Sequence, residues 1–547
     1  MRMARMRSIV SRFLDALGRP CLFPWLVVIL IGLSRLPSIC HQGELDVDES
    51  LMMAQAMRYE HDLMPWRSVD TTTSGPLNSW AFYLMRWVFG APSYGLVHAL
   101  AAVATGTAVL ITWLTLRVLC HARVAALGGL AACTFVMLGQ SPSMTHFTSE
   151  MIPLVLLTAA VWMIALGVNF LQVRHWAWPL AALLAGAAPW AKLQAAPLSL
   201  ALVIGLMGMI CWLRPDGQTS GTTLLRASVI AGAFCTVTLF LGSLIALQGT
   251  WDDFWNSYIA RNLAYANAHT AGTQFSRVLH LWTDASRLSI ISLLMAGMVV
   301  FAGAWGCHGC PGWRQQTRGH MAMLACMVLY LAAGVYAVTK PPFNFPHYHF
   351  LLFLPVILVS TMLLSMWSEH DAESTSPNSF PAGYAWFALT VIAMPFAAIR
   401  SSAPGWLAHW RSSVERVPGY QLARRLQILA PHATSLGIWG WAPQVYVHAG
   451  LTPASRHAIS HYLIDPHPLR ERFRRSYLAD LKKSRPAVIV DAVTPLALLW
   501  DWSGTERIES FPELDEFIRS NYRLVENFPA DGSQAPYRIY LLNDSGL

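Results

Sequence analysis

Residues 23–50 read FPWLVVILIGLSRLPSICHQGELDVDES, an apolar run that ends in a dense group of carboxylates. A helix needs about 20 apolar residues to cross the roughly 30 Å hydrocarbon core of a bilayer. Residues 23–39 come close to that length and carry a single charge. The stretch therefore predicts a membrane span that is followed at once by an acidic loop.

Apolar stretches of this kind recur as far as residue 400 and predict eleven spans. The 547 residues are 54% hydrophobic and only 12% charged, whereas soluble proteins are about 25% charged. This composition excludes a disordered chain, a coiled coil, a disulfide scaffold and an ordinary soluble enzyme. The predicted spans are 23–39, 93–114, 122–140, 151–171, 178–191, 195–213, 227–247, 288–306, 321–338, 349–367 and 384–400.

Lys and Arg near the span ends predict the orientation, because cytoplasmic loops carry an excess of them. Five Arg residues precede the first span, and the second, fourth, sixth and eighth spans also end beside Arg. The loop 368–383 departs from the rule, since it has no Lys or Arg. The pattern predicts a multi-pass protein of the bacterial inner (cytoplasmic) membrane, with its N-terminus in the cytoplasm and its C-terminus outside, in the periplasm.

Residues 401–547 differ in kind from the rest, because they hold 30 of the chain's 68 charged residues. Short apolar runs alternate there with amphipathic stretches, which predicts a small extracytoplasmic α/β domain. Residues 1–400 form the predicted transmembrane catalytic domain. The predicted strands are Ser435–Gly440, Ser455–Ser460, Ala487–Val493 and Arg538–Leu542, and the predicted helices are 442–449, 468–484 and 512–522.

Cysteine usage indicates no disulfide framework, because none of the nine Cys lies in the C-terminal domain. Cys307 and Cys310 form a single CxxC in a predicted cytoplasmic loop. A structural zinc site needs four ligands, so two free thiols are the simpler interpretation.

The first outer loop, residues 40–92 and called the acidic loop below, holds four carboxylates within six residues at Glu44, Asp46, Asp48 and Glu49. Like charges so close raise one another's pKa, and a metal, a basic partner or a function usually relieves such a cluster. A solvated loop in which Asp48 or Ser50 caps the next helix is the alternative. Amphipathic stretches at 50–59 and 79–89, the second of them rich in aromatic residues, predict two helices lying in the membrane interface.

The order of motifs in this region resembles the GT-C glycosyltransferases, and within them the branch of protein O-mannosyltransferases and aminoarabinose transferases. The resemblance lies in the pair Asp48-Glu49 after the first span, the turn Asp62-Leu63-Met64-Pro65 and the segment Gly75-Pro76-Leu77-Asn78-Ser79-Trp80. The aminoarabinose branch has a Lys before a Pro-Pro in this segment, whereas this chain has Ser74-Gly75-Pro76. The departure argues against aminoarabinose as the sugar.

The resemblance implies transfer of a sugar from a polyprenyl-phosphate donor to an acceptor hydroxyl at the outer face of the cytoplasmic membrane. It implies Asp48 as the base and Glu49 and Glu150 as further catalytic candidates, although Asp48 and Glu150 also fit simple helix caps. Lys192 suits a counter-charge for the donor phosphate, or a side chain that reaches the lipid headgroups. The candidate substrate-binding residues are Asp46, Arg58, Asp70, His146, Lys192, Gln194, Arg261, Lys340, His347 and Tyr348.

The resemblance to GT-C glycosyltransferases also bears on which partners and cofactors to expect. The chain has no nucleotide-binding glycine motif, which fits a lipid-linked donor, and its basic residues need no nucleic acid. A phosphate can be held by basic side chains or by a divalent metal ion, and the residues do not choose between them. Lipid, glycan and protein acceptors all stay open. In the C-terminal domain Trp439, Trp441 and Tyr446 suit either sugar stacking or core packing.

Two other functions fit a membrane protein of this composition. A lipid-glycan transporter or flippase would carry charges inside its spans and broken helices in paired halves, and this sequence shows few such charges and no such symmetry. A non-catalytic scaffold of glycan assembly would need none of the carboxylates.

Overall fold

The computed structural model describes residues 18–91, 93–169, 176–213, 219–267, 318–342, 345–374, 414–494, 506–529 and 536–543, together with Arg12, Asp15 and Ala16. The predicted spans 288–306 and 384–400 and the pair Cys307 and Cys310 lie outside these residues. The chain divides into two compact units. A helical unit comprises 1–40, 98–243 and 264–409, and a mixed unit comprises 41–97, 244–263 and 410–547.

Nineteen α-helices occur in the described residues, with a π-helical segment at Trp255–Ala260. In chain order they are α1 (Phe23–Cys40), α2 (Val47–Arg58), α3 (Pro76–Phe89), α4 (Tyr94–Leu119), α5 (Ala122–Leu138), α6 (Pro142–Thr145), α7 (Met151–Asn169), α8 (Ala177–Ala191), α9 (Ala196–Trp212), α10 (Ser220–Leu247), α11 (Trp251–Phe254), α12 (Arg261–Ala266), α13 (Arg318–Thr339), α14 (Phe350–Ser374), α15 (Pro418–Leu429), α16 (Gln444–Ala449), α17 (His461–Ile464), α18 (Arg470–Ser484) and α19 (Pro512–Asn521).

Nine of these helices coincide with the predicted spans that the structure describes. Seven are long and apolar enough to cross a membrane, and α5 and α8 are shorter apolar helices. The predicted fold class, a polytopic helical membrane protein with a C-terminal α/β domain, is confirmed. The number of spans stays a prediction.

Helices of the helical unit approach one another closely at glycines, which have no side chain. A Cβ atom on Gly205 of α9 would come within 2.3 Å of the sulfur of Cys326 on α13. Small residues at such crossings let helix backbones pack tightly in lipid, where the hydrophobic effect does not drive association. The α9–α13 crossing thus depends on the absence of a side chain at Gly205.

A charge inside the first span has a structural explanation. Arg35 of α1 is 2% exposed, and it donates to the carbonyl oxygens of Gly139 at 2.9 Å and Val136 at 3.0 Å. These carbonyls belong to the C-terminal end of α5, where the helix leaves its last oxygens without partners. Arg35 therefore caps α5.

A five-stranded sheet lies in the mixed unit, in the order β2-β1-β3-β5-β4. β2, β1 and β3 are parallel, and β5 pairs antiparallel with both β3 and β4. The predictions for β1, β3 and β5 match the observed strands within one residue, and the three predicted helices correspond to α16, α18 and α19. The strands are β1 (Ser435–Gly440), β2 (Thr452–Pro453), β3 (Val488–Ala492), β4 (Tyr522–Phe528) and β5 (Tyr537–Leu542).

The predicted strand Ser455–Ser460 is wrong, because β2 ends at Pro453. Beyond Pro453, hydrogen bonds to a side chain replace strand pairing. Asp480 accepts hydrogen bonds from the Ser455 hydroxyl at 3.1 Å and from the Arg456 backbone N–H at 2.9 Å. An amphipathic helix, α15, and the edge strand β4 were not predicted.

The two predicted interfacial helices of the acidic loop differ from each other. α2 is buried from Glu49 to Met57, and its Leu51 and Ala54 belong to the hydrophobic core around β1 and β3. α3 instead exposes the large apolar side chains of Leu84, Trp87, Val88 and Phe89. Only α3 has the exposed apolar face that an interfacial helix requires. The structure groups the acidic loop with the C-terminal residues, whereas the predicted division at residue 400 groups it with the spans.

Candidate active site

The carboxylates of the acidic loop surround the N-terminus of α2. Asp46 is the N-cap and accepts a hydrogen bond from the backbone N–H of Asp48 at 3.2 Å. Glu49 is fully buried and accepts from the backbone N–H of Leu45 at 2.7 Å. The Asp46 bond satisfies one N–H group that the helix start leaves without a partner, and the Glu49 bond ties the residue before the cap to the first turn. Asp46, and neither Asp48 nor Ser50, is thus the N-cap, and half-buried Asp48 lies at the positive end of the helix dipole.

The raised pKa expected in this cluster is found at Glu44. Burial, followed by the charges of Glu49, Asp46 and Asp48, raises the pKa of Glu44 to about 8, and the hydrogen bond from Ser50 opposes the rise. Ser50 Oγ donates to Glu44 and lies 2.7 Å from the hydroxyl of Tyr94. Glu44 therefore holds a proton at neutral pH. No motif in the sequence singled out this residue from the other three carboxylates.

Asp70 is a buried carboxylate that joins three segments of the mixed unit. It accepts from Ser257 Oγ at 2.6 Å and from the backbone N–H of Thr72 at 2.9 Å, and its other oxygen lies 3.2 Å from His457 Nδ1. Burial would raise the pKa of Asp70, but the hydrogen bond and charge of His457, helped by Arg261, lower it strongly. Asp70 is thus a fixed anion within a network of donors.

Two unusual backbone segments lie in this network. Ser257 lies in the π-helical segment, a form that is often found at functional sites. Thr72 has a φ of 56°, which is rare for a β-branched residue and costs about 1–3 kcal/mol. Such strain persists only where surrounding contacts hold the residue. The contacts of Asp70 provide that support.

Two of the predicted substrate-binding arginines have different surroundings. Arg58 donates to the backbone carbonyls of Ser68 and, at 2.6 Å, of Pro453, so it ties the end of α2 to β2. The guanidinium of Arg261 lies over the ring of Tyr462, 3.9 Å from its centroid, and Nη2 lies 3.3 Å from Nε2 of His461. Arg58 is engaged by carbonyl oxygens, and Arg261 is not.

A second cluster lies in the helical unit, at the ends of α7, α8 and α14. Lys192 Nζ pairs with the carboxylate of Glu150 and donates to Ser149 Oγ at 2.7 Å. His347 Nε2 lies 4.0 Å from Glu150, and Lys192 lies 5.1 Å from the centroid of the Tyr348 ring. The structure thus brings together four residues that the sequence placed at separate span ends.

Charges of opposite sign compensate one another in this cluster. Burial would raise the pKa of Glu150, but Lys192 and His347 lower it to about 2. Glu150 is therefore an anion at neutral pH. Desolvation makes a buried ion pair a weak source of stability.

Three other predicted site residues lie in the helical unit. Gln194 donates to the carbonyl oxygen of Ala337 at 2.8 Å, which links the end of α8 to α13. Lys340 follows α13 and is half-buried. His146 is fully buried, and its Nδ1 lies 2.8 Å from the carbonyl oxygen of Pro142. A carbonyl only accepts, so Nδ1 of His146 donates to it, and Nε2 is buried without a hydrogen-bond partner among the described residues.

No sequence motif pointed to Ser257, His457 or His461, although each belongs to a buried polar contact. Trp439 packs in the core, with Nε1 donating to the carbonyl oxygen of Glu506 at 3.0 Å. Tyr446 is buried in the same core, so core packing explains both rings.

Solved structures reproduce this architecture. No family model matches the sequence, and no curated protein matches it. The structure superposes on ArnT from Cupriavidus metallidurans bound to undecaprenyl phosphate with a TM-score of 0.58 and 13% identity, covering 96% of this chain and 99% of that one. Apo ArnT gives a TM-score of 0.55. An oligosaccharyltransferase from Archaeoglobus fulgidus in complex with Zn and sulfate gives 0.50 at 10% identity, over 84% of this chain and 68% of that one. Likeness at such low identity establishes the fold, which is the GT-C fold that the motif order resembled.

Proposed function

On the GT-C fold, we propose that this membrane protein is a glycosyltransferase that moves a sugar from a polyprenyl phosphate to an acceptor hydroxyl. One observation carries the proposal: the chain superposes over nearly its whole length on ArnT bound to undecaprenyl phosphate. Buried Lys192, which pairs with Glu150, supports it, because transfer from a lipid phosphate needs a cation near the leaving group. The reaction would occur at the outer face of the cytoplasmic membrane, where the C-terminal domain also lies.

Asp48 is the proposed base, as the matching position in the family implies. It would take the proton of the acceptor hydroxyl while that oxygen attacks the sugar and the bond to the phosphate breaks. It lies in the first turn of α2, at the positive end of the helix dipole. Glu49 and Asp46 hold that end of the helix and so position Asp48.

Lys192, His347 and Tyr348 are the proposed groups that receive the leaving phosphate in the helical unit. Lys192 Nζ pairs with Glu150 and donates a hydrogen bond to Ser149. These two contacts orient the ammonium group. Glu150 acts here as a positioning residue. An incoming phosphate would share Lys192 with this carboxylate.

His146 is among the described side chains that would act as ligands to a divalent metal ion. His146 presents an Nε2 lone pair that is buried and has no hydrogen-bond partner among the described residues. Its Nδ1 is oriented by a backbone carbonyl, which is the usual support for a metal-binding imidazole. A bound ion would supply positive charge toward a phosphate oxygen.

Replacing Asp48 with Asn tests the proposal. We expect transfer of sugar from a polyprenyl-phosphate donor to fall by about 10²–10⁴-fold, since that is the usual contribution of a general base. Exposed Asp252, changed to Asn, is the matched control and should leave the rate unchanged. An Asp48→Asn enzyme with the wild-type rate would refute the base assignment, and a wild type that consumes no polyprenyl-phosphate sugar would refute the function.

A further inference from the structure

The backbone from Trp66 to Thr72, called the strained turn below, holds two of the three described non-glycine residues with a positive φ. Trp66 has a φ of 61° and Thr72 a φ of 56°. A bulky or β-branched residue in this region is an outlier, and each one costs about 1–3 kcal/mol. Such strain persists only where surrounding contacts hold it, and it is concentrated at functional sites. The contacts that hold the strained turn therefore bear on its function.

Arg456 and His457 supply those contacts, from the C-terminal region that was wrongly predicted as a strand. Arg456 Nη1 donates to the carbonyl oxygen of Trp66 at 3.1 Å, and the Arg456 carbonyl oxygen accepts from the backbone N–H of Asp70 at 2.9 Å. His457 Nδ1 lies 3.2 Å from the carboxylate of Asp70, whose other oxygen accepts from the backbone N–H of Thr72 at 2.9 Å. Two neighbouring C-terminal residues thus hold both ends of the strained turn.

Arg456 and His457 are themselves held by α18. Asp480 of α18 accepts from Nε of Arg456 at 3.1 Å and from its Nη2 at 3.2 Å, which makes a bidentate pair. Nε2 of the buried His457 lies 2.7 Å from the hydroxyl of Ser476, which is also on α18. A planar guanidinium that is bound by a carboxylate through two bonds has a defined orientation. Both side chains are therefore oriented toward the strained turn by a helix of the C-terminal residues.

The strained turn in turn contacts α2, the helix whose first turn carries Asp48. Gln55 of α2 donates from Nε2 to the carbonyl oxygen of Asp70 at 3.1 Å. Arg58, the last residue of α2, donates to the carbonyl oxygen of Ser68 inside the strained turn. Asp48 and Gln55 lie roughly 10 Å apart along the helix axis, a length over which a helix is rigid. The contacts of Gln55 and Arg58 therefore fix where Asp48 lies.

We infer that Arg456 and His457 are positioning residues for sugar transfer: through the strained turn and α2, they hold Asp48 where the acceptor hydroxyl loses its proton. The role of Asp48 in this inference rests on the proposed function. Positioning needs no contact with a substrate, because a displacement of about 1 Å caused far from the chemistry can slow a reaction about 10²-fold. The C-terminal residues thereby influence the rate of transfer from a distance.

Kinetics of Arg456→Lys, alone and combined with Asp48→Asn, test the inference. Lys keeps the charge and loses the bidentate bonds to Asp480, so we expect kcat to fall about 10–100-fold while KM for the polyprenyl-phosphate donor stays unchanged. In the Asp48→Asn background the same change should have almost no further effect, because residues that act as a unit are not additive. Exposed Arg475 of α18, changed to Lys, is the matched control and should keep the wild-type kcat. An equal fold loss in both backgrounds would overturn the inference, as would a wild-type kcat in Arg456→Lys.

Hydrogen exchange of the full chain in lipid nanodiscs measures the same contacts without sugar transfer. Arg456→Lys and His457→Gln should each speed amide exchange in the strained turn and α2 by about 10-fold, as for loss of one hydrogen bond to a charged group. Arg475→Lys should leave that exchange unchanged. Unchanged exchange in both of the first two variants would overturn the inference. Faster exchange in a protein that transfers no sugar would instead refute the proposed function alone.

Discussion

Glu44 of the mixed unit and Glu150 of the helical unit both lie beside the end of a span, yet their pKa values are displaced in opposite directions. Glu44 has three carboxylates and a hydroxyl around it, and its pKa rises to about 8. Glu150 has Lys192 and His347, and its pKa falls to about 2. Burial opposes ionisation in both places, so neighbouring charge decides the protonation state. At neutral pH Glu44 is therefore protonated, whereas Glu150 is an anion paired with Lys192.

Removing Lys192 would give Glu150 surroundings like those of Glu44. We expect Lys192→Met to lower the free energy of unfolding by about 3–5 kcal/mol, because it leaves a buried carboxylate without its main counter-charge. Melting in detergent would measure the loss. The double variant Glu150→Gln with Lys192→Met, which carries neither charge, should recover most of it. Equal melting temperatures for the single variant and the wild type would mean that Lys192 does not compensate Glu150.

Glu44→Gln would remove the stored proton and give a smaller effect that depends on pH. The folded pKa of about 8 exceeds the ordinary value of 4.5, so the stability contributed by Glu44 is present below pH 4.5 and is lost as the pH rises through 8. We expect Glu44→Gln to be more stable than the wild type at pH 8.5 by about 1–3 kcal/mol, and equally stable near pH 4. Melting at the two pH values checks both parts. A stabilisation that is the same at both pH values would place the raised pKa elsewhere.

Glu150 predicts the opposite pH dependence. Its folded pKa of about 2 lies below the ordinary 4.5, so its stability is present above pH 4.5 and is lost as the pH falls toward 2. Relative to the wild type, a Glu150→Gln protein should therefore be less destabilised at pH 3 than at pH 7. Melting at these two pH values measures the difference, and a constant difference would contradict the lowered pKa.

Ser50→Ala gives the smallest expected effect. The hydroxyl of Ser50 donates to Glu44 and lies 2.7 Å from Tyr94, so its loss should cost about 1 kcal/mol. It should also raise the pKa of Glu44 further, because the bond from Ser50 lowers it. Carboxyl chemical shifts followed through a pH titration would detect the change. An unchanged titration would show that Ser50 has no influence on Glu44.

The sequence predicted single elements better than it predicted contacts between them. Residues Glu150, Lys192 and His347 were each expected at a span end from apolar run lengths, but their pairing depends on which helices are adjacent. Asp70 and His457 lie almost four hundred residues apart, and no local pattern joins them. The false strand Ser455–Ser460 had suitable residues, and the side chain of Asp480 outweighed that preference.

The burial of α2 in the core around β1 and β3 has a consequence for biosynthesis. Leu51 is made about 385 residues before Leu436, with which it shares that core. At a translation rate of about 5–20 residues per second, the acidic loop waits roughly 20–80 s for its partners. During that interval its apolar side chains are without their final packing, which makes this segment the part of the acidic loop most exposed to misfolding before synthesis ends.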